Sequence, residues 1–192
     1  MTDVSDIKNI AIIGAGVQGH EIAQIALMAG FDKVILNDFS DKVLKSAEAS
    51  ILNDKRIGLK KLESKGLLSE GVKAEDLLKS LILETNLEKA VSDADFVIEA
   101  VPEVMDVKKE VFKKLGNYAP KNTILATNTS TMNITEIGKS SNRPEKVIGM
   151  HFFGPVEIKL IEIKLIENIK NIQKIWKILP KKAGKSIFNP VN

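Results

Sequence analysis

The sequence contains two histidines, the residue type best suited to moving a proton near neutral pH. His20 directly follows a glycine-rich stretch at a predicted helix start, where a polar or phosphate-proximal residue needs no catalytic explanation. His151 ends the apolar run KVIGM and precedes FFGP, so it is predicted to lie where a strand gives way to a turn. Ligands bind at the carboxyl ends of strands in open α/β sheets. His151 is therefore the stronger candidate for acid–base chemistry.

Other polar groups end predicted strands or lie close after one: Glu99, the NTST segment at 128–131, and Glu162. A carboxylate on the second ring nitrogen of a histidine fixes its tautomer and stabilises the imidazolium. A hydroxyl such as Ser130 can exchange a hydrogen bond with a substrate oxygen. This set suits oxidation of a hydroxyl group, in which a base takes the proton and a cofactor takes the hydride.

A cofactor of that kind is indicated by the segment GAGVQG, in which Gly14, Gly16 and Gly19 match G-x-G-x-x-G. The segment follows an apolar strand, opens a helix, and is followed after 19 residues by Asp38 at the end of the next strand. The first glycine permits a tight turn, the second allows a pyrophosphate to approach the backbone, and the third allows close helix–strand contact. The pattern predicts a dinucleotide site with the phosphates at a helix N-terminus.

The choice of dinucleotide depends on Asp38. A carboxylate there can accept both hydroxyls of the adenosine ribose and repels a 2′-phosphate. The next residues, Phe39 and Ser40, supply no arginine to offset that repulsion. The sequence therefore predicts NAD rather than NADP.

The elements that position these residues alternate between strands and helices. Residues 20–30 form a predicted helix that stops at Gly30, residues 106–116 one that stops at Gly116, and the segment of about 40–80, with Ser40 as N-cap, a helical excursion. Predicted strands occupy residues 7–13, 33–38, 80–85, 95–99, 122–128 and 146–151. This order predicts an α/β fold: a Rossmann-type, doubly wound, mostly parallel sheet with the excursion after the second strand.

Composition narrows the function classes. Apolar residues make up 44% of the 192 residues, the net charge is only +3, and there is no cysteine, so disulfides and Cys-based metal sites are excluded. No apolar run reaches the ~18 residues of a membrane span, and residues 1–9 lack the features of a secretory signal. Basic residues are scattered among acidic ones, which disfavours nucleic acid as a partner. We expect no metal, no membrane, and a cytoplasmic location.

Four segments together resemble the L-3-hydroxyacyl-CoA dehydrogenase family: GAGVQG, EAVPE, NTST and IGMHFFGPVEIKLIE. They occur in the family's order and with near-family spacing, and the resemblance extends from about Ile7 to Lys185. It implies an enzyme of fatty acid metabolism that oxidises the 3-hydroxyl of a short-chain L-3-hydroxyacyl-CoA with NAD. Two alternatives remain: a stand-alone NAD-binding module with little or no activity, and an enzyme related to L-gulonate dehydrogenase.

The resemblance also implies residue roles. The catalytic residues correspond to Ser130, His151 and Glu162, and Ser130 also contacts substrate. Lys61, in the excursion, stands where a family lysine meets the CoA moiety. The nicotinamide-side contacts correspond to Glu103, Lys108 and Asn128. The basic residues around Lys61 favour a CoA phosphate, although a solvated helix face explains them nearly as well; they are Lys55, Arg56, Lys60 and Lys61.

The sequence departs from the family in three respects. Gly154 stands where Asn is usual, and the stretch after the histidine is one residue shorter, which makes Glu157 a rival for the carboxylate role. The Gly184-Lys185 pair resembles the turn before the last strand, which predicts a strand at 186–191. The Pro-Gly-Phe segment, catalytic Asn and all-helical domain that follow in the family do not occur by residue 192. We therefore expect one NAD-binding domain over 1–192, weak turnover alone, and self-association or a separate helical chain as partner.

Overall fold

A computed structural model of the protein describes residues 7–153, 161–165 and 187–190, with side chains for the first of these ranges. The described strands form one sheet in the order β3-β2-β1-β4-β5-β6-β7-β8. The strands β1 to β6 are mutually parallel, β7 is antiparallel to β6, and β8 is parallel to β7. Their bounds are β1 (Asn9–Ile13), β2 (Lys33–Asn37), β3 (Leu81–Glu84), β4 (Phe96–Glu99), β5 (Ile124–Thr127), β6 (Val147–Phe152), β7 (Ile161–Leu165) and β8 (Ile187–Pro190).

Helices connect the parallel strands, and three of them occupy the excursion between β2 and β3. The helices are α1 (Val17–Ala29), α2 (Asp41–Asn53), α3 (Leu59–Ser64), α4 (Ala74–Leu78), α5 (Leu87–Val91), α6 (Met105–Tyr118) and α7 (Ile134–Ser140). The predicted α/β fold, its mostly parallel sheet and the helical excursion are therefore confirmed. The strand expected near the end of the resemblance is also present, as β8.

Local sequence signals explain where several helices begin and end. α1 ends at Gly30, whose φ of 83° lies in the left-handed region that favours glycine. α2 begins after Ser40, whose hydroxyl oxygen accepts a hydrogen bond from the N–H of Val43. Both signals act as the sequence predicts.

The predicted end of α6 at Gly116 is wrong, because the helix continues to Tyr118. Gly116 lies inside the helix, where a Cβ would fall 2.0 Å from the backbone oxygen of Ser141 at the end of α7. The glycine is thus required by the close approach of two helices rather than by a helix stop. A packing requirement of this kind leaves no trace in the local sequence.

Two apolar layers enclose the sheet, because successive residues of a buried strand face opposite sides. Ile10 and Ile12 of β1 contribute to one layer, together with residues of α1 and α2. Ala11 and Ile13 contribute to the other, together with residues of α5, α6 and α7. The nearly continuous apolar strands of the sequence therefore reflect burial on both faces.

Arg143 holds the carboxyl-terminal end of α6 in place. Its Nη1 donates to the oxygen of Pro120 at 2.6 Å, and its Nη2 donates to the oxygens of Leu115 at 2.9 Å and Ala119 at 3.2 Å. The residue is only 9% exposed. Leu115 and Pro120 also accept backbone hydrogen bonds from Ala119 and Thr123, so the guanidinium adds second donors to these two carbonyls, bonds that of Ala119, and opposes the helix dipole.

We expect Arg143→Met to lower the free energy of unfolding by about 2–4 kcal/mol, because it removes three hydrogen bonds from a largely buried cation to backbone carbonyls. Urea unfolding followed by circular dichroism measures the change. The matched variant Lys121→Met removes an exposed cation near the same helix end and should change stability by less than about 0.5 kcal/mol. Equal effects of the two substitutions would contradict the capping role.

Candidate active site

The order of the strands defines a crevice at one edge of the sheet. The chain passes from β1 outward to β2 and β3, and then returns to the other side of β1 with β4, β5 and β6. The crossovers on the two sides of β1 leave a cleft outside the carboxyl ends of β1 and β4, which is where ligands bind in such sheets. Along this edge, each predicted site residue either comes after β1, β2, β4 or β5 in the chain or lies near the end of β6. This holds for the residues that the structure describes.

The glycine-rich turn after β1 requires two of its glycines for internal reasons. Gly14 has φ of 99°, and a Cβ there would lie 2.7 Å from the backbone oxygen of Ala100. At Gly19 a Cβ would lie 1.7 Å from the oxygen of Gly14. Gly16 differs, because a Cβ there would meet nothing within 4 Å. The first and third glycines thus build the turn, whereas the second leaves open space beside it.

That open space lies at the start of α1. Gly16 is the N-cap residue, with no side-chain capping hydrogen bond and no acidic residue in the first turn. The first backbone N–H groups of a helix have no partner within it and carry partial positive charge. The geometry therefore fits a phosphate group. The His20 side chain points back towards the glycine-rich turn, with its Nδ1 2.9 Å from the backbone oxygen of Gly16.

Asp38 connects the end of β2 to the glycine-rich turn. Its Oδ2 accepts a hydrogen bond from the N–H of Ala15 at 3.0 Å, and its Oδ1 accepts one from the N–H of Ser40 at 3.1 Å. The carboxylate is half-buried, whereas the neighbouring Phe39 is 93% exposed. These two hydrogen bonds orient the Asp38 carboxylate beside the open space at Gly16, and its oxygens can still accept further hydrogen bonds.

A buried ion pair lies on the opposite side of β1. Glu99, the last residue of β4, is 0% exposed, and Lys108 of α6 is 1% exposed. The Lys108 Nζ donates to Glu99 Oε1 at 2.7 Å and lies 3.1 Å from Glu103 Oε2. Glu99 Oε1 also accepts from the N–H of Val101 at 2.8 Å, and its Oε2 accepts from the hydroxyl of Thr127 at 2.6 Å. These contacts tie β4, β5 and α6 together behind the crevice.

The two carboxyl groups differ in environment. Burial raises the pKa of Glu99, and this rise is opposed by the Lys108 ammonium and by the hydrogen bonds from Thr127 and Val101. Burial also raises the pKa of Glu103, but hydrogen bonds from Thr129 and Lys108 outweigh it and leave that pKa below its ordinary value. Glu103, whose side chain is 41% exposed, is therefore ionised at neutral pH.

Residues after β5 connect this ion pair to β6. The Thr129 hydroxyl donates to Glu103, and the backbone N–H of Ser130 donates to the same carboxylate. Asn128 Oδ1 accepts from the N–H of Phe152 at 2.8 Å, next to His151. The loop that carries Ser130 is thus held on one side by Glu103 and on the other by β6.

His151 lies near the end of β6, half-buried, with its ring centroid 4.4 Å from that of Phe153. In the antiparallel pair of β6 and β7, the residue directly opposite His151 is Glu162. Directly opposed residues of an antiparallel pair share one face of the sheet. The register therefore brings the predicted histidine and the predicted carboxylate to one face, despite the shorter connection in this sequence.

The other predicted residues lie elsewhere. Lys61 is exposed on α3, within the excursion. Nearby, Lys60 pairs with Glu75 at 3.4 Å and Arg56 lies 3.9 Å from Asp54. Gly154, Glu157, Gly184 and Lys185 lie outside the described residues.

Sequence reasoning missed part of this site. Glu99 is noted there only as a strand-end carboxylate, the buried Thr127 is not noted, and the buried Thr129 appears only as part of the NTST segment. The available signal is a glutamate that ends an apolar strand and a lysine nine residues later on a helix. Because a buried charge must be paired, such a glutamate predicts a cation beside it.

Among residues 7–153 and the other described segments, no group of acidic, histidine or cysteine side chains is arranged to hold a metal ion. In the same part of the chain, no helix combines the length and apolar character needed to cross a membrane.

Comparison with known proteins gives a consistent family. Residues 9–183 match the model of the family described as 3-hydroxyacyl-CoA dehydrogenase, NAD binding domain. A 3-hydroxybutyryl-CoA dehydrogenase of Clostridioides difficile is 44% identical over 155 residues, which cover 80% of this chain and 53% of that protein. The human mitochondrial hydroxyacyl-coenzyme A dehydrogenase is 34% identical over 164 residues, covering 85% of this chain and 51% of that protein.

A solved structure agrees. The crystal structure of (S)-3-hydroxybutyryl-CoA dehydrogenase from Ralstonia eutropha matches with a TM-score of 0.83 at 26% identity, covering 97% of this chain and 64% of that one. The chain spans about half the length of the curated relatives it matches. With the fold, the glycine-rich turn and the family match in agreement, the chain belongs to the 3-hydroxyacyl-CoA dehydrogenase family, of which it carries the NAD-binding domain.

Proposed function

We propose that this chain supplies the NAD-binding part of a dehydrogenase of fatty acid metabolism that oxidises the 3-hydroxyl of a short-chain L-3-hydroxyacyl-CoA to the 3-oxo compound. The single observation that carries the proposal is the register of β6 and β7, in which His151 and Glu162 oppose each other. This pair stands at the edge of the sheet that also carries the open glycine-rich turn.

We propose that this edge of the sheet binds NAD, with the adenosine half on the side of Asp38 and the nicotinamide half on the side of Glu103. The space beside Gly16 takes the pyrophosphate, with Gly14 and Gly19 shaping the turn, and Asp38 accepts the hydroxyls of the adenosine ribose. Glu103 and Asn128, which follow β4 and β5, would hold the nicotinamide half of the cofactor. We further propose that Lys108, whose ammonium is buried between carboxylates, acts on the cofactor through Glu103 rather than by contact.

The proposed chemistry divides between cofactor and protein. When bound, NAD supplies the acceptor for a hydride from the substrate carbon. His151 takes the hydroxyl proton at a ring nitrogen and becomes an imidazolium, and the loss of this proton together with the hydride turns the substrate alcohol into a carbonyl. Glu162 stabilises that imidazolium, as carboxylates do in other His–carboxylate pairs. Ser130 shares a hydrogen bond with the substrate oxygen, and Lys61 binds a phosphate of the CoA moiety.

The experiment that tests this function measures NADH binding by fluorescence and NAD-dependent turnover of 3-hydroxybutyryl-CoA. Binding together with turnover supports the full proposal. Because we expect only weak turnover from this chain alone, any turnover of 3-hydroxybutyryl-CoA above the rate without protein counts as turnover. Binding with no such turnover of this substrate or of L-gulonate favours a stand-alone NAD-binding module, and turnover of L-gulonate alone favours that enzyme class. The absence of NADH binding would overturn the proposed cofactor.

Cofactor preference gives a separate prediction. We expect NADH to bind at least about tenfold more tightly than NADPH, a difference of ~1.4 kcal/mol, because Asp38 repels a 2′-phosphate. Asp38→Ala should narrow the difference, and fluorescence titrations of both nucleotides measure it. The exposed Asp41 pairs with Lys45 of the same helix, so Asp41→Ala is the matched control and should leave the preference unchanged. Equal affinities of the wild type for the two nucleotides would contradict the role of Asp38.

A further inference from the structure

The ion cluster of Glu99, Lys108 and Glu103 contains two carboxylates and one ammonium. Lys108 is within hydrogen-bond distance of both carboxylates, at 2.7 Å from Glu99 Oε1 and 3.1 Å from Glu103 Oε2. Burial raises the pKa of Glu99, but the ammonium and the hydrogen bonds from Thr127 and Val101 favour its ionised form, and both of its oxygens already accept hydrogen bonds. The ammonium favours the ionised form of Glu103 as well. With all three groups ionised, the cluster carries one net negative charge.

The net negative charge of the cluster lies on the side that faces the crevice. Glu99 and Lys108 are 0% and 1% exposed, whereas the Glu103 side chain is 41% exposed. Glu103 follows β4 and is hydrogen-bonded to Thr129 and Ser130 of the loop after β5. In a doubly wound sheet the two halves of a dinucleotide lie on opposite sides of the strand-order reversal. With Asp38 on the β2 side, the β4–β5 side is the nicotinamide side.

The charge matters because the two redox forms of the nicotinamide differ by one positive charge. The ring is cationic in NAD+, and it becomes neutral when it gains a hydride, that is, two electrons and a proton. A fixed negative charge at that end stabilises the cationic form, and the interaction is stronger where water is partly excluded.

We propose that the Glu99–Lys108–Glu103 cluster makes this site discriminate between the redox forms of its cofactor, favouring NAD+ relative to NADH. The proposal rests on the proposed function in requiring that the nicotinamide end lies at Glu103. Its consequence for that function is a bias in direction. Because the oxidised form is stabilised, bound NADH gives up its hydride more readily, so the cluster favours reduction of a 3-oxoacyl group over oxidation of a 3-hydroxyacyl group.

The test compares the dissociation constants of NAD+ and NADH, measured by calorimetry on the full chain. Glu103→Gln keeps the shape of the side chain and removes one negative charge, and we expect the ratio Kd(NAD+)/Kd(NADH) to rise about fivefold. A fivefold change corresponds to about 20 mV in the midpoint potential of the bound two-electron couple. Glu99→Gln removes the same charge at a position beneath the surface and should raise the ratio in the same direction.

Two variants separate charge from other effects. Glu110→Gln removes an exposed carboxylate of the same helix that pairs with Lys114 at 3.4 Å, and should leave the ratio unchanged. The double variant Glu99→Gln/Lys108→Met replaces the buried pair by neutral groups without changing the net charge. It should keep the ratio within about twofold of the wild type.

The outcomes are distinct. If Glu103→Gln binds NADH and the ratio stays at the wild-type value, the proposal is wrong even though the proposed cofactor is right. A ratio that rises equally in Glu110→Gln also overturns it, since the effect then follows from overall charge. If the wild type binds neither form, the proposed function itself fails.

Discussion

His151→Gln is expected to reduce NAD-dependent turnover of 3-hydroxybutyryl-CoA by about 10²–10⁴-fold, because it removes the group proposed to take the hydroxyl proton. NADH binding should remain within about twofold of the wild type, since the proposed phosphate and adenosine contacts lie on the other side of β1. Steady-state kinetics and a fluorescence titration on the same preparation measure the two effects.

His20→Gln provides the matched control. This histidine lies on α1, and its ring nitrogen Nδ1 is 2.9 Å from the oxygen of Gly16 at the glycine-rich turn. We expect this control to keep wild-type turnover at saturating NAD. If instead His151→Gln retains full turnover, His151 is a structural residue and the mechanism proposed above is wrong.

The second large effect concerns Gly16. We expect Gly16→Ala to weaken NADH binding about tenfold and Gly16→Val about 100-fold, because their side chains occupy the space proposed for the pyrophosphate. The fold should tolerate both, since a Cβ at this position meets no atom within 4 Å and the φ of −66° suits any residue. The Tm of each variant should therefore stay within about 3 °C of the wild type.

Gly19→Ala supplies the contrast. Its Cβ would lie 1.7 Å from the oxygen of Gly14, so the turn must deform and the Tm must fall. Differential scanning fluorimetry without cofactor measures the Tm of each variant. The Tm should fall in Gly19→Ala but not in the Gly16 variants. If a Gly16 variant binds NADH like the wild type, the pyrophosphate does not bind at this turn.

The order of the elements could be predicted because their signals are local. Apolar runs such as residues 7–13 predict strands buried on both faces, and Gly30 and Ser40 mark a helix end and a helix start. The glycine-rich turn is local only in part: Gly19 is required by the oxygen of Gly14, whereas Gly14 is required by its φ of 99° and by Ala100, which follows β4.

The remaining features depend on contacts between distant segments. Gly116 reads as a helix stop, but the structure requires it because Ser141 of another helix passes close by. Lys108 matches a cofactor contact by resemblance, yet its burial depends on Glu99 in a different element. No local pattern contains such information, because the partner is chosen by tertiary packing.

Contacts near the two ends of α6 affect how variants of this protein should be interpreted. Arg143 holds the carboxyl-terminal carbonyls of the helix, and the first turns carry Lys108 beside Glu103. A helix of 14 residues is about 21 Å long, and it behaves as a stiff rod. Loosening the carboxyl-terminal end of α6 is therefore expected to change the position of Lys108 near the other end. We therefore expect a screen for altered cofactor affinity to recover substitutions at Arg143, which would act through the position of Lys108.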